Sequence, residues 1–174
     1  IQPIRDISRA IEARFSETKH RFVHQHITKP FLVSDASQAP LFMRITPADL
    51  GADFMVIDSR KIYGPRNTAL LYVKNGVPFQ SFCGMYGKVP SEGTPDVTSA
   101  IGLRRAYDVL EERRESDTAA WSDIKSYFIE RLTERFPTMR INGDVAVSVS
   151  GILNVSFPSV EGEFLVTQLD AQGI

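Results

Sequence analysis

The chain has 174 residues, of which 43% are hydrophobic and 24% charged, as in an ordinary soluble globular protein. Its 20 basic and 21 acidic residues leave a net charge of −1, which excludes the basic excess typical of proteins that bind nucleic acids or anionic membranes. No apolar run approaches the roughly 20 residues of a membrane-spanning helix. The single cysteine, Cys83, excludes an internal disulfide framework and suits a reducing compartment, so the cytoplasm is the expected location.

The first half of the chain predicts a helix followed by a strand-rich region. Apolar residues recur at helical spacing from Ile4 to Phe15, which predicts an amphipathic helix over residues 3–17. The pair Thr46-Pro47 is a cap followed by a proline and predicts a short helix that ends before Gly51. A connecting strand is predicted at residues 21–27. Three buried strands of one sheet are predicted at residues 31–35, 54–58 and 69–73.

The second half predicts two long helices and a closing mixed module. A Thr-Pro start opens a helix at Thr94, and apolar residues at helical spacing from Trp121 to Phe136 predict a second one, which Pro137 ends. The runs "VAVSV" and "ILNVSF" predict two strands paired around Ser150-Gly151, followed by a helix in "EGEFLVTQLDAQG". The predicted fold class is α/β for the first part and α+β for the second. Because the chain starts without methionine and stops directly after a helical pattern, it is predicted to be an internal segment of a longer protein.

Polar residues follow the predicted strands at the ends where an open α/β sheet binds ligands. They form three groups: Asp35 with Gln38, Asp58 with Ser59 and Lys61, and Gly93 with Thr94. A carboxylate can keep a pyridinium nitrogen protonated, an amide can donate to a phenolate oxygen, and a lysine amine can form an imine with an aldehyde. The helix start at Thr94 offers backbone N–H groups to a phosphate. Together these are the requirements of pyridoxal phosphate.

Each group also has an ordinary structural interpretation. Asp35 and Gln38 are also typical turn residues after a strand, Thr94 is a good helix cap whatever it binds, and a lysine at a strand end is usually just solvated. The spacing of these residues alone does not separate the two interpretations.

Four segments, in this order and at this spacing, resemble the cysteine desulfurases of the class V aminotransferase family. They are "SDASQAP", "DSRKIYGPRNTALLYV", "EGTPDV" and "NVSFPSVEGEFLVTQLDAQGI". The opening "IQPIRDI" is similar to the segment that follows the family's substrate-proximal asparagine motif, so the resemblance covers nearly the whole chain. It implies a fold-type I pyridoxal phosphate enzyme, with residues 1–111 in part of the large cofactor-binding domain and residues 112–174 in part of the small C-terminal α+β domain.

The resemblance also implies roles for individual residues. Asp35 would pair with the ring nitrogen, Gln38 would contact the phenolic oxygen, and Lys61 would form the imine with the cofactor and later move protons. Gly93 and Thr94 would bind the phosphate across the interface of a homodimer, and Ser59 is included among the cofactor-binding residues. In such enzymes L-cysteine displaces the lysine, and a loop cysteine then takes the substrate sulfur as a persulfide, leaving alanine. A sulfur-acceptor protein receives that sulfur, as in iron–sulfur cluster assembly.

The sequence departs from the family pattern near the lysine and lacks some of its elements. Asp58 and Arg60 stand where serine and histidine are common, and Ser91 where an arginine is common. A carboxylate at Asp58 is expected to repel the phosphate. The family's ring-stacking histidine, glycine-threonine phosphate loop, catalytic-cysteine loop and substrate-gripping arginine all fall outside the 174 residues. The chain alone is therefore expected to be inactive.

Two alternatives stay open for the whole protein. One is another class V member, such as a selenocysteine lyase or an aminotransferase. The other is a non-catalytic pseudoenzyme or scaffold subunit.

The remaining reactive side chains are interpreted as structural. Cys83 falls in a segment that matches a glycine-rich stretch of the family, and it is predicted to be a small buried apolar residue. His20, His24 and His26 lie near one another in sequence, but a solvated connecting strand is favoured over a metal site because no acidic partner is close. No metal is predicted.

Overall fold

The computed structural model describes residues 2–16, 29–79 and 96–174, and these form two compact units. The first unit comprises the described residues up to Arg114, and the second comprises Glu115–Ile174. The division lies three residues beyond the predicted domain boundary at 111/112. Assigning the two units to a large and a small domain stays a prediction. The predicted connecting strand at 21–27 lies outside the described residues.

The first unit contains a three-stranded mixed sheet with the strand order β1-β2-β3. Strand β1 (Val33–Asp35) is parallel to β2 (Phe54–Asp58), and β2 is antiparallel to β3 (Ala69–Val73). This confirms that the three predicted runs form one sheet. The expectation that all three are buried is wrong for β3, whose first three residues are exposed, and for β1, in which only Ser34 is buried and Val33 is 62% exposed. An apolar run of five residues does not by itself show which of its faces will be covered.

Helices of the first unit begin and end close to the predicted residues. Helix α1 spans Ile4–Ser16, and helix α2 spans Pro47–Leu50. The Thr46 hydroxyl oxygen accepts a hydrogen bond from the Asp49 N–H at 3.1 Å, while Gly51 ends the helix in the left-handed region at φ 66°. The predicted cap, proline and terminal glycine are therefore confirmed in their local roles.

One long helix, α3 (Val97–Arg135), replaces the two helices predicted between 94 and 136. The prediction of a break was wrong because residues 112–120 contain neither glycine nor proline, and their charged and small side chains are compatible with an uninterrupted helix. None of the helices in the described parts of the chain combines the length and apolarity needed to cross a bilayer.

The second unit has a strand within the predicted run "ILNVSF", but that strand pairs with a different segment from the one predicted. Strand β4 (Arg140–Ile141) is antiparallel to β5 (Val155–Ser156), and helix α4 spans Gly162–Ala171. The run "VAVSV" is not a strand, since Val145–Val147 forms a 3-10 helical turn. The Asp144 carboxylate accepts from the Ala146 N–H at 2.8 Å and so stabilises this turn against the extended conformation that β-branched residues favour.

Buried ionic contacts connect the elements of the first unit. The Asp53 side chain is 2% exposed, accepts from the Leu32 N–H at 2.9 Å, and lies 3.4 Å from Lys29 Nζ and 3.6 Å from Lys74 Nζ. Burial alone would raise the pKa of Asp53, but the Leu32 N–H and the Lys29 and Lys74 ammonium groups outweigh burial and lower it. These contacts hold the start of β2 beside the segment that leads into β1.

Candidate active site

Asp35 is the last residue of β1 and is exposed at the end of the sheet. Its Oδ1 atom accepts two hydrogen bonds from one neighbour, from Ser37 Oγ at 2.5 Å and from Ser37 N at 3.0 Å. The Ser37 hydroxyl, then the Ser37 N–H, lower the pKa of Asp35, and the nearby charge of Lys61 lowers it further. Asp35 is therefore held as a carboxylate.

Lys61 lies in the 3-10 turn Ser59–Ile62, which directly follows β2, and its side chain is exposed. The charge of Lys61 acts on both Asp35 and Asp58, since it lowers the pKa of each carboxyl group. In Asp58 the larger cause is the hydrogen bond from the Arg60 N–H. Because β1 and β2 are parallel, both chains leave the sheet at the same end. Asp35 and the turn that carries Lys61 therefore follow neighbouring strands at the same end of the sheet, while their pairing around a cofactor stays a prediction.

Gln38 lies three residues after Asp35 and directly precedes the short 3-10 turn Ala39–Leu41. Its side chain is exposed. Its carbonyl oxygen accepts from the Leu41 N–H at 3.2 Å, which continues the chain into the turn. Two residues later, the carbonyl oxygen of Pro40 accepts a hydrogen bond from Nε of the buried Arg114 at 2.9 Å. This contact fixes the segment that carries Asp35 and Gln38 against α3.

Ser59 differs from the other predicted site residues because its side chain is fully buried. Its Oγ atom has no hydrogen-bond partner in the described part of the chain, and its carbonyl oxygen accepts from the Gly64 N–H at 2.8 Å. A Cβ atom on Gly64 would come within 2.2 Å of Ser59 Oγ, so a glycine is required there. Ser59 lies inside the turn that positions Lys61, and its assignment to the cofactor stays a prediction.

The other predicted site residues cannot be placed. Gly93 and Thr94 lie outside the described residues, as do Ser91 and Cys83, together with the three histidines weighed as metal ligands. Within residues 2–16, 29–79 and 96–174, no group of three His, Cys, Asp or Glu side chains is arranged to bind a metal.

Two contacts of the site were missed by the sequence reasoning. Ser37 binds the Asp35 carboxylate, and Asp58 binds Arg60. In both, a serine or arginine donates to an aspartate two residues earlier, and the Asp-x-Ser spacing of a turn was a signal that could have identified the first.

Comparison with known proteins identifies relatives of this chain. The family model described as aminotransferase class-V matches residues 16–174. "Cysteine desulfurase IscS" of Clostridium botulinum (strain Kyoto / Type A2) is 30% identical over 145 residues, which cover 81% of this chain and 36% of that protein. "Probable cysteine desulfurase, mitochondrial" of Dictyostelium discoideum is 31% identical over 141 residues, or 78% of this chain and 31% of that one. The chain therefore spans about a third of the length of these relatives.

Solved structures with the same fold confirm the predicted architecture. A "NIFS-LIKE PROTEIN" matches 100% of this chain and 44% of its own with a TM-score of 0.81 at 23% identity, which shows the fold alone. The crystal structure of DndA from Streptomyces lividans matches 98% of this chain and 46% of its own with a TM-score of 0.70 at 26% identity. The expected α/β portion of a pyridoxal phosphate enzyme fold is confirmed by these matches.

Proposed function

Because the chain belongs to the class V aminotransferase family, we propose that it supplies Lys61 as the cofactor-binding lysine of a pyridoxal phosphate-dependent, cysteine desulfurase-like enzyme. The observation that carries this proposal is that Asp35 and the turn with Lys61 follow two adjacent parallel strands at the same end of the sheet, where the charge of Lys61 lowers the pKa of Asp35. A lysine for the aldehyde and a carboxylate for the ring nitrogen are the two side chains the cofactor needs most.

The donor set around this pair fits the cofactor. Lys61 and Gln38 are exposed, and Asp35 is an ionised carboxylate with one oxygen bound by Ser37. In the described ranges no hydrogen bond reaches the other oxygen, Oδ2. A pyridine-type ring thus has an anionic acceptor beside an amine and an amide.

Pyridoxal phosphate supplies, when bound, an aldehyde and a ring that withdraws electrons from the substrate carbon. Asp35 would keep a proton on the ring nitrogen, which strengthens that withdrawal. Lys61 would bind the aldehyde carbon through Nζ and afterwards carry protons to and from the substrate. Gln38 would donate from its amide to the phenolic oxygen, while Gly93 and Thr94 would bind the phosphate.

The names of the curated relatives support the choice of chemistry. Both relatives described above are named cysteine desulfurases, which supports L-cysteine as substrate and a sulfur-acceptor protein as partner. A homodimer and a cytoplasmic location belong to the same proposal, although the name of one relative places that protein in mitochondria. Two alternatives would replace the proposed desulfurase activity. One is selenocysteine lyase or aminotransferase activity, and the other is a non-catalytic role.

Reduction with borohydride tests the proposal on the protein expressed from its complete gene. Peptide mapping is expected to find a pyridoxyl group on Lys61, and Lys61→Ala is expected to lose it. Lys74→Ala is the matched control, because Lys74 pairs with Asp53 near the start of β2 and should leave the label unchanged. Label on Lys74 or Lys88 with Lys61 unmodified would refute the assignment.

Product analysis then separates the activities. Alanine and persulfide formed from L-cysteine are expected. Turnover of selenocysteine alone, or transfer of an amino group to a keto acid, would assign the protein to another class V activity. Absence of any bound cofactor would favour the non-catalytic role.

A further inference from the structure

The residue that binds the Asp35 carboxylate most closely is Ser37. Both of its donors, the hydroxyl at 2.5 Å and the backbone N–H at 3.0 Å, bind the same oxygen, Oδ1. Two donors on one oxygen restrict rotation of the carboxylate about its Cβ–Cγ bond. Oδ2 is left without a hydrogen bond in the parts of the chain that the structure describes.

We infer that Ser37 is a positioning residue for the cofactor, which holds the Asp35 carboxylate by Oδ1 so that Oδ2 is presented to the ring nitrogen. This inference rests on the proposed function. Ser37 itself need not touch the cofactor, because it acts through Asp35. A tight turn follows β1, in which the Ala39 N–H donates to the Ala36 carbonyl oxygen at 3.0 Å. This turn keeps Ser37 beside the carboxylate.

The same contacts influence whether a proton lies on the ring nitrogen of the cofactor or on the Asp35 carboxylate. Hydrogen bonds to an anion stabilise it, so Ser37 lowers the proton affinity of Asp35 and favours a proton on the ring nitrogen over one on the carboxylate. Lys61, on the adjacent turn, is the charged group that acts on Asp35 from the described residues, and its effect has the same sign. Removing the Ser37 hydroxyl is therefore expected to move the proton toward Asp35.

The first test needs no cofactor. In the complete protein stripped of cofactor, ¹³C NMR of the aspartate carboxyl carbons follows the titration of Asp35, whose signal is identified by its loss in Asp35→Asn. Ser37→Ala is expected to raise the pKa of Asp35, because a hydrogen bond that stabilises the carboxylate is lost, and Ser37→Thr is expected to restore it. An unchanged pKa in Ser37→Ala would overturn the inference.

The second test uses the loaded protein with ¹⁵N in the pyridine ring. Ser37→Ala is expected to shift the ring-nitrogen signal toward its unprotonated position, while Ser37→Thr keeps the wild-type value. Thr46→Ala is the matched control, since Thr46 makes the same kind of hydroxyl-to-aspartate contact, to Asp49 at 2.7 Å, away from the site. A ring-nitrogen signal that does not move in Ser37→Ala would overturn the inference.

A double mutant separates positioning from general destabilisation. In an Asp35→Asn background, Ser37→Ala is expected to cause no further loss of kcat, because Ser37 acts through the carboxylate. An equal loss in both backgrounds would show that Ser37 is merely structural.

Failure of the two proposals can be distinguished. If Asp35 titrates as expected but borohydride places no label on Lys61, the proposed function fails, and the cofactor role of Ser37 falls with it. If Lys61 is labelled but the ring-nitrogen signal does not change in Ser37→Ala, only the inference about Ser37 fails.

Discussion

Asp58 caps the turn that carries Lys61 by binding Arg60 twice. Asp58 Oδ1 accepts from the Arg60 N–H at 2.9 Å, and Oδ2 lies 3.3 Å from Arg60 Nη2. The carboxylate expected to repel a phosphate is therefore paired with Arg60, the residue directly before the lysine. We expect this pairing to reduce the repulsion, which would explain an aspartate where the family commonly has serine.

Replacing Asp58 by asparagine tests that explanation. The amide oxygen still accepts from the Arg60 N–H, but the negative charge is lost and Arg60 gains freedom to interact with a phosphate. The affinity of the complete protein for pyridoxal phosphate is expected to rise about threefold to fivefold at low salt, and by less at high salt. Absorbance titration of the stripped protein measures it. Weaker binding in Asp58→Asn would show that the carboxylate itself contributes to the site.

Ser59→Ala distinguishes a structural serine from a cofactor ligand. The Ser59 hydroxyl is buried and unpartnered in the described residues, so its removal is expected to leave the free energy of unfolding unchanged or to raise it by about 1 kcal/mol. Cofactor affinity should stay as in the wild type. A tenfold loss of affinity would instead support the sequence-based assignment of Ser59 to the cofactor. Denaturant unfolding and cofactor titration of the same preparations decide between them.

Arg114→Ala is expected to destabilise the segment after β1. Arg114 is 6% exposed, donates from Nε to the Pro40 carbonyl oxygen at 2.9 Å, and pairs with Glu111. Its loss leaves a carbonyl group and part of a carboxylate without partners, which costs about 2 to 3 kcal/mol in the free energy of unfolding. Denaturant unfolding measures this cost. Arg104→Ala is the control, because Arg104 lies on the same helix in an exposed pair with Asp108, and its effect should be small.

Asp53→Asn is expected to change how the stability of the folded protein depends on pH. The pKa of Asp53 is lowered in the folded protein, so the carboxylate contributes stability above its unfolded pKa of 3.8, and that stability is lost as the pH falls through the lower folded pKa. Thermal midpoints of the complete protein between about pH 6 and pH 2 should therefore fall less steeply in Asp53→Asn. At pH 7 the variant should be the less stable protein, since Lys29 and Lys74 lose their buried partner. A wild-type acid profile in Asp53→Asn would contradict this role.

Prediction succeeded where a local signal had no competing one. Strands 54–58 and 69–73 were predicted with their observed bounds, because each is an apolar run closed by turn residues. The cap at Thr46 was also correct, since its partner is three residues away. The break predicted in α3 failed because two apolar patterns joined by charged residues look the same whether or not the helix continues. The strand predicted at "VAVSV" failed because a single capping contact from Asp144 outweighs β-propensity over so short a run.

Taken alone, the sequence determined most of the local elements and, through its motifs, the family and the residues to be tested. It did not determine which neighbours those residues would meet. Tertiary structure decided that β3 is exposed, that Ser59 is enclosed while Lys61 is accessible, and that Asp35 lies within reach of the Lys61 charge. The reason is physical. Periodicity and capping depend on residues a few positions apart, whereas burial and ion pairing depend on contacts such as Arg114 to Pro40, which joins positions 74 residues apart.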